Sequence, residues 1–215
     1  MSSTTPASVI FRESVSTAEG LRSLLGEPGQ AALRKQIATL DDHCRNFIAR
    51  SPILFLGTAN DAGQCDVSPK GDAPGFVRVV SDIQLAIPDR PGNRRADSLL
   101  NILANPQVGL LFVIPGMRET LRINGAATLY TDTDLLDSLA VAGKRPQVAI
   151  VVETREIYLH CGRALVRSSL WDTATWLPLE TLPSAAQIFV DHIAMPDLTC
   201  EVAERVLDED YRKLY

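Results

Sequence analysis

The stretch Ile87-Pro88-Asp89-Arg90-Pro91-Gly92-Asn93-Arg94-Arg95-Ala96-Asp97-Ser98 joins two kinds of structure. An apolar strand, Leu85 to Ile87, runs into a Pro/Gly turn. A helix over 93–104 follows, with Leu99, Leu100, Ile102 and Leu103 at helical spacing and a stop at Asn105-Pro106. Asn93 stands where an N-cap belongs. Arg90, Arg94 and Arg95 cluster around this start. Exposed N–H groups at a helix N-terminus already carry partial positive charge, so cations are disfavoured there unless an anion lies between. Phosphate is the commonest such anion, and Ser98 could add a hydroxyl to its site. The other reading is a solvated helix start with Arg94 and Arg95 paired to Asp89 and Asp97. The residues alone leave both open.

Outward from this unit the chain is rich in short strands. Ile53 to Thr58 reads as a buried strand, Asn60-Asp61-Ala62-Gly63 as a hairpin turn, and Gln64 to Ser68 as the returning strand. Gly75 to Val80 and Gln84 to Ile87 form two more, around Ser81-Asp82. After the 93–104 helix come Val108 to Ile114 and Glu119 to Tyr130, separated by Pro115-Gly116. A helix over 131–142, capped by Thr131 or Asp132, precedes a last long strand, Val148 to Leu159. Six or seven closely spaced, mostly antiparallel strands with inserted helices predict an α+β small barrel rather than a doubly wound sheet. Before it lie a flexible arm (1–15), a short helix (17–25) and an amphipathic helix from Gln30 to Arg50. After it, helices are expected over 160–169, 184–194 and 199–207. The implied organisation is 1–50 as arm and helices, 51–172 as barrel, and 173–215 as a helical extension packed on the same domain.

Bulk composition narrows the function classes. A net charge of −5 argues against a nucleic-acid footprint, so the arginine cluster is a local feature on an acidic background. No apolar run reaches the length that spans a bilayer, and Met1 to Ser8 lacks the basic and apolar regions of a secretory signal. Cys44, Cys65, Cys161 and Cys200 are far apart and form no C-x-x-C pair, which speaks against a zinc or redox motif and for a reducing cytoplasm. No metal site is expected.

Two further clusters carry candidate chemistry. Asp66-Val67-Ser68-Pro69-Lys70-Gly71-Asp72-Ala73-Pro74-Gly75-Phe76 reads as an ordered, shaped loop. Lys70 could hold an anion or polarise a carbonyl there; a tight connection with surface ion pairs is the alternative. The loop feeds directly into Phe76-Val77-Arg78-Val79, which favours a role in a site. In His160-Cys161 the two side chains diverge in an extended strand, so a Cys–His dyad is not expected. Arg163 and Arg167 share one helix face and could clamp an anion, or the helix could be structural and anchored by Trp171. There is no nucleophile elbow, metalloprotease motif or paired-carboxylate signature, and catalytic residues are unknown.

Several of these segments carry a resemblance. Phe76-Val77-Arg78-Val79, the unit ending Leu103-Ala104-Asn105-Pro106, Val108-Gly109-Leu110-Leu111-Phe112 and Thr120-Leu121-Arg122-Ile123-Asn124-Gly125 resemble the pyridoxamine 5′-phosphate oxidase superfamily. Its members have an FMN-binding split β-barrel. Within it, the chain is similar to the branch of FMN-dependent enzymes at Cys65-Asp66-Val67-Ser68-Pro69-Lys70-Gly71-Asp72, over 88–106, and at His160-Cys161. The resemblance covers residues 50–172 and implies FMN as cofactor. It implies that Ser68, Lys70, Phe76, Val77, Arg78 and Val79 line the flavin, and that Arg90, Asn93, Arg94, Arg95 and Ser98 hold its phosphate. Thr120 falls near a family Gln that hydrogen-bonds the flavin. A homodimer with flavin at the subunit interface is implied, to which Arg163, Arg167 and Trp171 would contribute from the partner. The implied activity is that of an FMN-dependent oxidoreductase acting on a small molecule. A flavin carrier or sensor, or a split barrel binding a deazaflavin or haem, is the alternative. The C-terminal Asp210-Tyr211-Arg212-Lys213-Leu214-Tyr215 lacks the Arg-x-His substrate motif of true pyridoxamine phosphate oxidases, which argues against vitamin B6 oxidation.

Overall fold

The computed structural model describes residue 9 and residues 11–215; most of the expected flexible arm, 1–8 and 10, lies outside them. The chain divides into two units, 1–36 and 37–215. The first contains α1 (Ala18–Leu25) and α2 (Gln30–Arg34). Thr17 caps α1 by accepting from the Gly20 N–H, and Gly26 ends it at φ 75°.

The second unit is built on seven strands: β1 (Ile53–Ala59), β2 (Cys65–Gly71), β3 (Arg78–Val79), β4 (Gln84–Pro88), β5 (Gln107–Val113), β6 (Thr120–Tyr130) and β7 (Ala149–His160). They form one sheet in the order β2-β1-β5-β6-β7-β4-β3, every neighbouring pair antiparallel. The sheet is not closed, since β2 and β3 end it, and with its helices it is the mixed α+β architecture of a split barrel. The long strands β6 and β7 change register at Asn124/Gly125. A Cβ at Gly125 would stand 2.1 Å from the Glu153 carbonyl oxygen, so only glycine lets the strands close up there. The core combines Leu54, Leu56, Leu85, Ile87, Leu110, Phe112, Ile123, Ile150, Val152 and Ile157, all essentially without exposure.

Helices complete the unit: α3 (Asp42–Arg50), α4 (Asp97–Ala104), α5 (Thr133–Ser138), α6 (Arg163–Arg167), α7 (Ala185–Ile193) and α8 (Cys200–Arg212). Helix α3 buries Cys44, Phe47 and Ile48 in the core. No described helix is long and apolar enough to cross a membrane.

Four local expectations change. The helix expected from Gln30 to Arg50 is two helices. Asp41 caps α3 through the Cys44 N–H at 2.8 Å, and Ile37 bridges to Ile157 as a short piece of sheet. The Pro69-Lys70-Gly71 stretch is not loop but the end of β2, where Pro69 lies opposite Phe55. An edge strand tolerates proline because one side of its ladder is unpaired. The strand expected over 75–80 shrinks to Arg78–Val79, with Phe76 and Val77 buried as core side chains. Asn93 is not an N-cap: α4 begins at Asp97, and its N-cap position is Ala96 in a left-handed conformation with no side-chain cap.

Candidate functional site

Strand β2, the segment 88–99 and the 144–148 turn enclose a cavity of about 1070 Å3. Its apolar lining includes Val67, Pro69, Phe76, Leu99 and Val148. Lys70, Arg90, Arg94, Arg95, Lys144 and Arg145 line it against Asp66, Asp89 and Asp97, so basic groups outnumber acidic ones two to one. The chain as a whole is acidic, which makes this a locally basic recess.

The 89–98 segment is held by specific bonds. Lys70 Nζ pairs with Asp89 Oδ1 at 2.9 Å, joining the end of β2 to the end of β4. Arg90 Nε pairs with Asp72 Oδ2 at 2.7 Å, and its Nη1 donates to the Leu139 carbonyl at 3.0 Å. Asn93 Oδ1 accepts from the Arg95 N–H at 3.0 Å, an Asx turn in place of the expected cap. Arg95 Nε pairs with Asp97 Oδ2 at 2.8 Å. Ser98 is buried and donates to Asp66 Oδ2 at 2.9 Å, tying α4 to β2. Arg94 (φ 63°) and Ala96 (φ 57°) both sit in the left-handed region that non-glycine residues rarely occupy.

These bonds sort the arginines. Arg90 is committed to Asp72 and Leu139, and Arg95 to Asp97. Among the described residues, Arg94 has no hydrogen-bond or ion-pair partner, and it is exposed in the cavity wall. Of the two pairings weighed for the solvated reading, Arg95 with Asp97 forms; Asp89 instead pairs with Lys70.

Asp72 is the electrostatic hub beside the cavity. Its side chain is 2% exposed, and it accepts from Arg90, from its neighbour Ala73 N–H at 2.7 Å, and from the Tyr215 hydroxyl at 2.5 Å. Burial pushes its carboxyl up. The Tyr215 hydroxyl, the Ala73 N–H and the Arg90 guanidinium outweigh burial and hold it below the ordinary carboxylate value. The same hydrogen bond, with burial and the Asp72 charge, raises the Tyr215 phenol.

The structure therefore brings Ser68, Lys70, Phe76, Arg90, Asn93, Arg94, Arg95 and Ser98 to one cavity. Other candidates lie outside its lining. Val77 is core, and Val79 packs on the core opposite Leu85. Arg78 donates to the Ser138 carbonyl at 2.9 Å. Thr120 is buried in β6, and its Oγ1 has no partner among the described residues. Arg163 and Arg167 line a second recess of about 610 Å3 together with Arg118, Glu119 and Cys161. Trp171 Nε1 donates to the Met117 carbonyl at 2.8 Å, anchoring the segment after α6.

The model of the pyridoxamine 5′-phosphate oxidase family matches residues 40–161, more than half of the chain. The chain belongs to the pyridoxamine 5′-phosphate oxidase family. Residues 40–161 run from just before α3 to just past β7, so the match takes in all seven strands of the sheet and α4. Among solved structures this family member is similar to HupZ of Group A Streptococcus, at 15% identity, with 55% of this chain and 92% of that chain covered and a TM-score of 0.45. General Stress Protein 26 of Bacillus anthracis is similar at 16% identity, covering 54% and 89%, with a TM-score of 0.43. The haem storage protein HutZ of Vibrio cholerae is similar at 14% identity, covering 57% and 94%, with a TM-score of 0.40. No curated protein matches the chain.

The cavity residues of this family member that escaped the sequence reading include Lys144, Arg145 and Tyr215. Lys144-Arg145-Pro146 directly precedes the last strand, and a basic turn beside a strand end is a signal that could have been used. Tyr215 carries no local signal, because its partner Asp72 is 143 positions away.

Proposed function

We propose that this family member binds FMN in the 1070 Å3 cavity and acts as an FMN-dependent oxidoreductase on a small molecule. The observation that carries the reading is Arg94, a guanidinium without a partner among the described residues, in the wall of a basic recess. A guanidinium left unpaired there suits a phosphate, which takes two parallel N–H bonds from it. The donor set fits the cofactor in composition. Arg94 and the 92–96 backbone would hold the phosphate, with Lys70 and Arg95 adding charge from within their ion pairs. Phe76, Val67, Pro69 and Leu99 supply apolar surface for a ring system. The volume lies at the upper end of small-molecule sites, as a mononucleotide with a tricyclic ring requires.

Bound flavin would supply hydride or electron transfer. The chain's own residues bind and orient it: the Lys70–Asp89 and Arg90–Asp72 pairs fix the segment that carries Arg94, and the Ser98–Asp66 bond fixes α4 against β2. A homodimer with its flavin at the subunit interface belongs to the same reading. In it Arg163 and Arg167 of the partner subunit would reach the cofactor. Leu100 and Leu103 on α4, 59% and 71% exposed, supply apolar surface for such contact.

The test is spectroscopic. The purified chain, or the chain after incubation with FMN and removal of excess, is expected to show flavin absorption that bleaches on adding NADH or NADPH. A flavin spectrum that no reductant changes would leave a carrier. A haem Soret band, or no uptake of FMN, would overturn the reading.

A further inference from the structure

The segment after α8 returns to the cavity and occupies part of its polar wall. The Tyr215 hydroxyl donates to Asp72 Oδ1 at 2.5 Å. Its ring lies beneath the Arg90 guanidinium, 5.6 Å from centroid to Cζ. Its main-chain oxygen accepts from Lys144 Nζ at 2.9 Å. Tyr215 itself lines the cavity, beside Lys144 and Arg90. Three different atoms or faces of one residue thus engage two cavity cations and the carboxylate that holds one of them. Each contact is of a kind that an anionic ligand could replace: the main-chain oxygen on Lys144 by a phosphoryl oxygen, and the ring on Arg90 by a second anionic or aromatic group. The contacts to Lys144 and Arg90 are also individually weak, because Tyr215 is 38% exposed and water competes for them.

We propose that residues 213–215 are an intrachain competitor for the site: Tyr215 holds Lys144 and covers Arg90, and an oligophosphate or nucleotide entering the cavity displaces it. The docked tail leaves the recess open at Arg94 and withholds Lys144. Weakly held anions therefore meet one free cation, whereas a ligand with two separated anionic or aromatic groups can dislodge the tail and gain the second. This makes Tyr215 a selectivity residue of the cavity. The proposal rests on the cavity being a ligand site, and its test uses no flavin, so the two can fail separately.

The experiment measures inorganic pyrophosphate binding by calorimetry, at constant ionic strength, to the full chain, to Tyr215→Phe and to a chain ended after Arg212. Removing the tail is expected to tighten pyrophosphate binding about three- to tenfold, the change that corresponds to one ordinary hydrogen bond of net stability. Tyr215→Phe, which keeps the ring and the main-chain oxygen, is expected to tighten it about twofold, less than removal of all the contacts. The Tyr215 ring proton resonances of the full chain, assigned by their loss in Tyr215→Phe, should move on adding pyrophosphate and not on adding sodium chloride. Circular dichroism and melting of the variants check that they fold. Unchanged or weaker binding in the shortened chain, or Tyr215 ring resonances indifferent to pyrophosphate, overturns the proposal. If pyrophosphate releases the tail and FMN does not bind, the strap stands and the flavin reading falls. If FMN binds and the Tyr215 ring does not respond to pyrophosphate, the reverse holds.

Discussion

At the scale of residues, the cavity wall holds cations paired within the fold and, among the described residues, an unpaired Arg94. Among the described residues Arg94 has no partner, whereas Arg95 shares its charge with Asp97. Arg94→Ala is therefore expected to weaken FMN binding by about tenfold or more, the loss of one charge-assisted contact. Arg95→Ala should weaken it less, and neither should lower the melting temperature; equal effects measured by fluorescence titration would contradict the assignment. Asp72 makes the opposite prediction. It is buried against Arg90, so Asp72→Asn should cost about 1–3 kcal/mol in urea unfolding. Its carboxyl is held below the ordinary 3.8 in the folded chain. Such a group adds stability at every pH above that value and loses the contribution as pH falls through the lowered folded value. The gap between the parent chain and Asp72→Asn should stay constant from about pH 7 to pH 5 and narrow below about pH 4. A gap that widened on acidification would sink this account of Asp72.

At the scale of elements, what the sequence allowed one to read depended on whether the signal was local. Alternating apolar runs placed six of the seven strands within a few residues, because burial on a pleated sheet leaves that pattern directly in the chain. Pro69 and Gly71 hid the end of β2, because proline is permitted on an edge strand and the edge is a property of the whole sheet. The arginine cluster before α4 was legible in the sequence, and the structure sets it in the wall of the basic cavity, but its geometry was not legible. Asn93 looked like a cap, yet the chain takes two left-handed turns, at Arg94 and Ala96, before the helix begins. Propensity opposes that path, so no composition rule could have found it. Ala96→Gly is expected to stabilise the chain by about 1 kcal/mol by relieving the left-handed alanine. Gly125→Ala should do the reverse and severely, because its Cβ would meet the Glu153 carbonyl across the bulge. Thermal melting of the two variants reads both signs.

At the scale of the whole molecule, one open sheet sets β2, the end of β4 and the turn before β7 around one recess. Tyr215 reaches it from 143 positions beyond Asp72, which is why a reading by motif missed it. The second basic recess, with Arg163 and Arg167, shares no lining residue with the first within one chain. The proposed homodimer accounts for why a flavin site would draw on both. Light scattering is expected to give twice the chain mass, and Leu100→Asp with Leu103→Asp to shift it toward the single chain; a monomeric parent would remove the shared site. The central claim is that the cavity takes FMN through Arg94. It is tested most directly by titrating FMN, followed by its fluorescence, into chain stripped of small molecules, beside Arg94→Ala. The account predicts saturable binding of one FMN per chain, at about micromolar concentration or below, weakened in the variant. Binding absent up to about 1 mM FMN, or equal in both chains, would contradict it.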